Sequence, residues 1–490
     1  MYAGAFSAMT QRRTIILFYG IGAAFIALNA VFIAAEWLWL IGLPVALAVL
    51  LLSFVALDKL FLLVTFLTPL SVNLINRGFG FGLNLPTEPL IFGAMLMFFY
   101  KIFDKGEYDK RVLSHPITWA IFFNLIWIGV TSVASSLPLV SFKFLLARIW
   151  FVTVFYFLAT KLFADYKNIK RFLWLYIFAM MITVVYTIAR HAAWGFEEKP
   201  AHWVMEPFYN DHTAYGAILA MFYPLVIGFL FNGRMNLFLR ALLLGLFTVL
   251  TLGIILSYTR AAWVSLAAVF AIYLVMFLRI RFASLLIVGV FVSVIVIGSW
   301  SQIMMKLEKN DTESSQDLGK HLQSVTNVSS DASNLERINR WQSALRMFRE
   351  RPVFGWGPGT YMFNYAPFQF SYEKTIISTN NADGGNAHSE YIGPLAEEGV
   401  LGLLTFVWII AVTIYTAVIL FPKVKDKEVR MVLQCTMLGL ITYYIHGSLN
   451  NFLDTDKASV PFWGFTAIIV AIALYHEEWE KKKEQRNIEQ

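Results

Sequence analysis

The sequence is poor in cysteine and in charge. Its single cysteine, Cys435, excludes an intrachain disulfide and any C-x-x-C metal or redox site. Charged residues make up only 14% of the 490 residues, whereas a soluble domain has about 25%. Apolar residues reach 58% and the mean hydropathy is +0.62. The composition therefore indicates a protein whose solvent is the lipid bilayer.

Several functional motifs are also missing. The sequence has no P-loop and no dinucleotide fingerprint, which excludes a nucleotide-dependent catalytic domain. The histidines are scattered, and no H-E-x-x-H motif occurs, so we predict neither a metal site nor a cofactor. The net charge of +7 comes mostly from short loops between apolar runs, as membrane orientation requires, and nucleic-acid binding is not expected.

Long apolar runs are the dominant feature of the chain. A helix needs about 20 apolar residues to cross the hydrocarbon core. The first run follows Arg12 and Arg13 without a convincing cleavage site, so we interpret it as a retained span. The runs predict an all-α polytopic bundle of about 12–14 spans, and the candidates lie near 14–35, 37–57, 59–76, 86–103, 116–135, 141–163, 171–190, 212–231, 237–257, 261–278, 282–300, 397–421, 431–450 and 459–476.

The polar segments divide the chain further. We predict a first transmembrane part at 1–300, a loop with short helices at 301–396, a last transmembrane part at 397–476 and a tail at 477–490. Lys and Arg are concentrated in alternate connections and near both termini. By the positive-inside rule, both termini and the tail are cytoplasmic, and the long loop lies on the opposite face.

The long loop has internal organisation. Ser333 and Glu336 form a capping-box pattern, which predicts a helix start, and Pro352 predicts the end of that helix. Leu335, Ile338, Trp341, Leu345 and Phe348 recur at helical spacing. A glycine-rich turn, GWGPG at 355–359, follows the helix and has backbone N–H groups that are suitable for an anion.

Three arginines are candidate anion ligands. Arg260 lies at the external junction of two spans, where it either snorkels to the head groups or forms a fixed anion site. Arg337 and Arg340 lie on the loop helix, where they form either a solvated face or guanidinium forks for phosphate oxygens.

Other polar residues stand near the ends of spans or inside them. His388 precedes a membrane helix, as a general base near neutral pH or as a packed or capping residue. His212 opens another span beside Asn210 and Asp211, which are candidate caps. Arg148 lies within an apolar run, and intramembrane charge is a functional hint because it is costly.

Two segments carry a family resemblance. RINRWQSALRMFRERPVFGWGPGTY, followed after a spacer by NAHSEYIGPLAEEGVLGLL, resembles the signature region of the O-antigen ligase and polymerase superfamily. SYTRAAWVSL is similar to an arginine-containing segment of that family, so the resemblance covers roughly 256–404. Ser389 stands where the family pattern has Asn.

The resemblance implies a site and a reaction. It implies that Arg260 and Arg337, with Arg340 less directly, bind the pyrophosphate of a lipid-linked glycan, and that His388 is the catalytic residue for the acceptor hydroxyl. His212, Arg148 and Tyr391 are candidate supporting residues. The implied enzyme is a metal-independent, inverting glycosyltransferase of the bacterial inner membrane with its loop in the periplasm.

The identity of the reaction has alternatives. The leading hypothesis is an O-antigen ligase that moves a glycan from undecaprenyl pyrophosphate to lipid A-core or another glycan acceptor in lipopolysaccharide biosynthesis. The first alternative is a polymerase that joins repeat units on the lipid carrier. The second is a polysaccharide or lipid transporter without catalysis, although no internal repeat typical of transporters is visible.

Overall fold

The computed structural model describes residues 19–20, 22–32, 34, 56–73, 83–106, 108–231, 236–278, 332–370 and 385–489. Packing divides the chain into two units, 1–60 and 61–490. The first unit includes the short apolar helix α1, Gly22–Phe32, and the start of α2, Leu57–Leu67. The predicted spans at 37–57 and 282–300 lie outside the described residues, apart from 56–57, as does the polar strip at 306–331.

The second unit is a helix bundle. Its further helices, in chain order, are α3 Thr87–Lys105, α4 Lys110–Leu113, α5 Pro116–Val133, α6 Pro138–Leu162, α7 Tyr166–Ala192, α8 Glu198–Ala201, α9 His212–Phe231, α10 Leu237–Leu256, α11 Arg260–Phe277, α12 Ala332–Glu350, α13 Tyr361–Asn364, α14 Ile392–Leu420, α15 Lys427–His446 and α16 Asp456–Glu489. Short 3₁₀ turns occupy Thr68–Leu70 and Ala366–Phe368, and residues 153–158 of α6 form a π-helical segment.

Eight described helices are long and apolar enough to cross a membrane: α5, α6, α7, α9, α10, α11, α14 and α16. The prediction of an all-α polytopic bundle is confirmed. The predicted spans near 86–103 and 431–450 correspond to helices α3 and α15.

The predicted span at 59–76 is not one continuous helix. Helix α2 ends at Leu67, and Pro69, which has no N–H to donate, lies in the following 3₁₀ turn. The strand Val72–Asn73 then pairs antiparallel with Asn84–Leu85. The described part of this segment is therefore a half-length helix that ends in a small β-ribbon.

Helix α16 is the most buried of the eight apolar helices, and Trp463 on it is almost completely enclosed. Helix α9 packs against α15, and α5 packs against α14. Helix α12, the helix predicted in the long loop, packs against α14 and ends at Glu350, two residues before Pro352 as expected. The start of α14 therefore connects the loop helix to the bundle.

The glycine-rich turn joins α12 to α14. Gly355 has a φ of 64°, and a Cβ atom there would lie 2.3 Å from the carbonyl carbon of Glu397. Glycine at this position thus permits both a left-handed backbone and a close backbone approach.

Replacing Gly355 by Ala should lower the melting temperature of the detergent-solubilised protein by several degrees. The change adds a steric clash with the backbone of α14 to the left-handed strain, which by itself costs about 1–3 kcal/mol. Gly106→Ala is the matched control, because Gly106 has the same φ of 64° but open space around it. Equal melting temperatures for the two variants would contradict this docking of the turn.

Candidate functional site

The predicted site residues gather at one end of the bundle, where α9, α11 and α14 begin and α15 ends. The first contact at this end joins α9 to α11. The hydroxyl of Thr259 donates to the carbonyl of His212 at 2.7 Å, and Gly216 leaves room for the Thr259 side chain. Asp211 caps α9 by accepting from the N–H of Ala214, so His212 is not needed as the cap. This joint places Arg260, the first residue of α11, beside the start of α9.

His388 is held by its backbone. Its N–H donates to the side-chain oxygen of Asn386 at 3.0 Å, and its carbonyl accepts from the indole N–H of Trp341 at 3.5 Å. The hydroxyl of Ser389 accepts from the N–H groups of Tyr391 and Ile392, which caps α14. The capping alternative for His388 is therefore not what the structure shows, and its imidazole is left for another role.

Glu390 ties this segment to the end of α15. Its carboxylate accepts from the hydroxyl of Tyr443 at 2.7 Å and from the N–H groups of Phe452 and Leu453. The N–H of Glu390 donates to the carbonyl of Gly447 at 2.7 Å. Burial raises the pKa of Glu390. These bonds fix the position of His388 relative to α15.

Charges and imidazoles converge on one spot. Arg337 acts electrostatically on His212, on His388 and on the buried His446. Arg260 acts on His212 as well. Of the predicted residues, the structure thus brings together Arg260, Arg337, His212 and His388, from three separate helices and the segment before α14.

The comparisons with known proteins can be set against this arrangement. The family model described as O-antigen ligase matches residues 242–407. Over these residues, the chain is similar to the O-antigen ligase family. An uncharacterized protein from Haemophilus influenzae is 24% identical over 224 residues, which are 44% of this chain and 52% of that protein. The chain thus spans about half the length of this curated relative.

The region that matches the O-antigen ligase family contains five of the seven predicted site residues: Arg260, Arg337, Arg340, His388 and Tyr391. His212 and Arg148 lie outside it but inside the same bundle. Two of the seven predicted site residues thus lie outside the region that carries the family match.

Arg340 differs from Arg337 in its surroundings. Its guanidinium pairs with Glu336 at 2.9 Å, with both side chains only 6% exposed. It also lies over the ring of Tyr365, 5.0 Å from the centroid, and contacts the carbonyl of Asn386 at 3.4 Å. One oxygen of Glu336 thus serves an ion pair within α12, and the side chain of Ser333, its predicted capping-box partner, lies outside the described residues.

The glycine-rich turn uses its N–H groups internally. Those of Trp356 and Gly357 donate to the carbonyls of Ala396 and Glu397. The N–H of Gly359 donates to the Glu397 carboxylate at 3.1 Å, and that of Tyr361 donates to it at 2.7 Å. The turn therefore docks α12 on α14, and these N–H groups donate to α14 itself.

Two predicted supporting residues lie apart from the arginine–histidine cluster. The hydroxyl of Tyr391 donates to the carbonyl of Tyr444 at 2.8 Å, which links the start of α14 to α15. Arg148 lies in α6 and lines a separate pocket with Glu390 and Glu398. Within the described residues, no group of three or more His, Cys, Asp and Glu side chains is arranged to hold a metal ion.

Sequence reasoning did not identify His446 or Glu398. His446 ends α15 and is fully buried, and its Nε2 lies 3.2 Å from the side chain of Asn450. The available signal was the group HGSLNN at 446–451, polar residues that directly follow an apolar run at the site end. Glu398 follows Glu397 at a helix start, where acidic residues are ordinary.

The environment of His388 favours its neutral form. Burial lowers the pKa of His388 to about 4, and the positive charges of Arg337 and Arg340 act in the same direction. At neutral pH the ring therefore has a free lone pair that can accept a proton.

We expect ¹³C-histidine NMR in nanodiscs to show a His388 ring that stays neutral between about pH 5.5 and 8. Arg337→Gln should raise its pKa, because removing a nearby positive charge makes protonation less costly. Arg349→Gln, on the exposed end of α12, should leave the pKa unchanged. Titration near 6.5 in the unmodified protein would refute the assigned environment.

Proposed function

We propose that this protein is an O-antigen ligase-like glycosyltransferase that uses a glycan linked to undecaprenyl pyrophosphate. The observation that carries the proposal is that Arg260 and Arg337 both act electrostatically on His212, and Arg337 also on His388, at one end of a membrane bundle. The arginines provide charge for a pyrophosphate, and the imidazole provides a base for a hydroxyl. The family match over 242–407 supports the same class of reaction.

The proposed reaction is a single displacement at the anomeric carbon of the glycan. A nitrogen of neutral His388 takes the proton of the acceptor hydroxyl, and the acceptor oxygen bonds to the anomeric carbon of the glycan. The bond from that carbon to the pyrophosphate oxygen breaks, and its electron pair leaves with the lipid pyrophosphate. Arg260 and Arg337 stabilise the charge that develops there, and the anomeric centre is inverted.

The remaining site residues have supporting roles in this proposal. His212 lies beside Arg260 and lines the donor side. Arg340 pairs with Glu336 and contacts the carbonyl of Asn386, so it positions the segment before His388. Tyr391 keeps α14 on α15.

The proposed location is the inner membrane of a bacterium. Both termini are cytoplasmic, as the distribution of Lys and Arg indicates, and the site end of the bundle faces the periplasm. The acceptor is lipid A-core or another glycan that is accessible from that face.

Arg260→Ala, Arg337→Ala and His388→Ala should each reduce glycan transfer about 100-fold or more, because each removes charge stabilisation or the base from the transition state. Transfer from a synthetic lipid-pyrophosphate donor by purified protein in proteoliposomes is the measurement. Arg349→Ala is the control on α12, since this exposed arginine lies at the other end of the helix. Normal transfer by all three variants, with intact membrane insertion, would remove the site assignment, and no transfer by the unmodified protein would favour a transporter.

Deletion of the gene should leave long polymer on the lipid carrier if the protein is a ligase. The reason is that polymerisation continues while transfer to core stops. Electrophoresis of lipopolysaccharide and of carrier-linked glycan measures this. Single repeat units attached to core would instead identify a polymerase.

A further inference from the structure

A second polar pocket lies behind His388, between α5, α6, α14 and α16. The space inside it that water-sized groups can occupy is about 50 Å³, and its mouth is partly open. Ser389 and Glu390, which directly follow His388, form part of its wall. The pocket thus adjoins the proposed base without being part of the arginine–histidine cluster.

Glu398 is the first group that points to a ligand. Its side chain is only 3% exposed and lines the pocket, yet its carboxylate has no hydrogen bond or ion pair with any residue in the described part of the chain. Its position is fixed, because the indole N–H of Trp127 donates to its carbonyl at 2.8 Å and Gly399 breaks the helix with a φ of 72°. A buried, rigidly placed carboxylate without a partner is costly unless something else hydrogen-bonds to it.

Arg148 is the second group that points to a ligand. Its guanidinium lies over the ring of Phe144, 5.3 Å from the centroid, and its charge acts on Glu390 and Glu398. It forms no ion pair with either of these two carboxylates among the described contacts. A guanidinium and a carboxylate that line one pocket without pairing are suited to a ligand that bridges them.

Two neutral groups in the same lining have unmet hydrogen bonds. The indole N–H of Trp463, whose side chain is 1% exposed, has no partner among the described residues, and neither has the side-chain oxygen of Asn451. Glu390 and Glu397 in the wall differ from Glu398, because backbone N–H groups donate to both. Asp454 also lines the pocket. The polar groups of this lining thus include two donors, Arg148 and Trp463, and three acceptors, Glu398, Asn451 and Asp454.

We propose that this pocket binds a sugar ring of the glycan substrate, with Glu398 and Asn451 accepting from its hydroxyls and Arg148 and Trp463 donating to them. Each sugar hydroxyl donates and accepts, so a mixed set of donors and acceptors beside aromatic rings suits it. A cation would meet Glu398 and Asp454 but also the competing charge of Arg148. The identification of the ring as substrate rests on the proposed function, but the binding of a sugar does not.

The test measures binding separately from catalysis. Saturation-transfer NMR on the detergent-solubilised full chain uses methyl glucoside, methyl galactoside and N-acetylglucosamine as probes. We expect a signal for at least one probe. Glu398→Gln and Trp463→Phe should each weaken it at least 10-fold, whereas His388→Ala should keep it. Loss of transfer with retained binding in His388→Ala separates the pocket from the base.

Two control variants change exposed residues outside the pocket. Glu484→Gln and Trp119→Phe change an exposed carboxylate and an exposed indole, and both should bind like the unmodified protein. A melting temperature for each variant shows that it is folded, and the second pocket variant serves if the first does not fold. Equal binding in the folded pocket variants, or no signal with any probe, would overturn the proposal. A Glu398-dependent rise in melting temperature with magnesium chloride but no sugar signal would do so as well.

Discussion

The carboxylate of Glu397 joins the glycine-rich turn to the first turns of α14. Its two oxygens accept from the N–H groups of Gly359 and Tyr361. The hydrogen bond from the indole N–H of Trp341 on α12 to the carbonyl of His388 acts alongside it. Together these contacts hold α12, which carries Arg337, in a fixed position relative to His388. The proposed active site therefore depends on hydrogen bonds that involve neither the Arg337 side chain nor the His388 ring.

Neighbouring residues of the same type have different contacts in this region. Glu397 bonds to the glycine-rich turn, whereas Glu398, the next residue in the same pocket wall, does not, and Gly399 follows them with a left-handed backbone. Arg337 and Arg340 show the same contrast. Arg340 is paired with Glu336 within α12 and acts on His388, while Arg337 acts on three histidines. Residues of one type in one short segment thus have different roles because their surroundings differ.

Much of this arrangement is visible in the sequence, since hydropathy and helix signals are local properties. The runs at 212–231 and 237–257 match α9 and α10 closely, and Ser389 and Asp211 cap as short polar residues do. The roles of Glu398 and Arg340 are not visible there, because they depend on partners that other helices bring near. The glycine-rich turn shows the same limit: its composition suits an anion, and only the contact with Glu397 shows where its N–H groups point.

Helix α16 is longer than the hydrocarbon core of a membrane is thick. Its 34 residues extend about 51 Å at 1.5 Å per residue, whereas the hydrocarbon core is about 30 Å thick. Its first residues bond Ser71 and Thr87 through Asp456, next to the site end, and its last turns project from the opposite face. Pro461, which has no N–H to donate, lies in its second turn. The lysine-rich far end and the site end are thus parts of one helix, so a displacement of one end acts on the other through a single element.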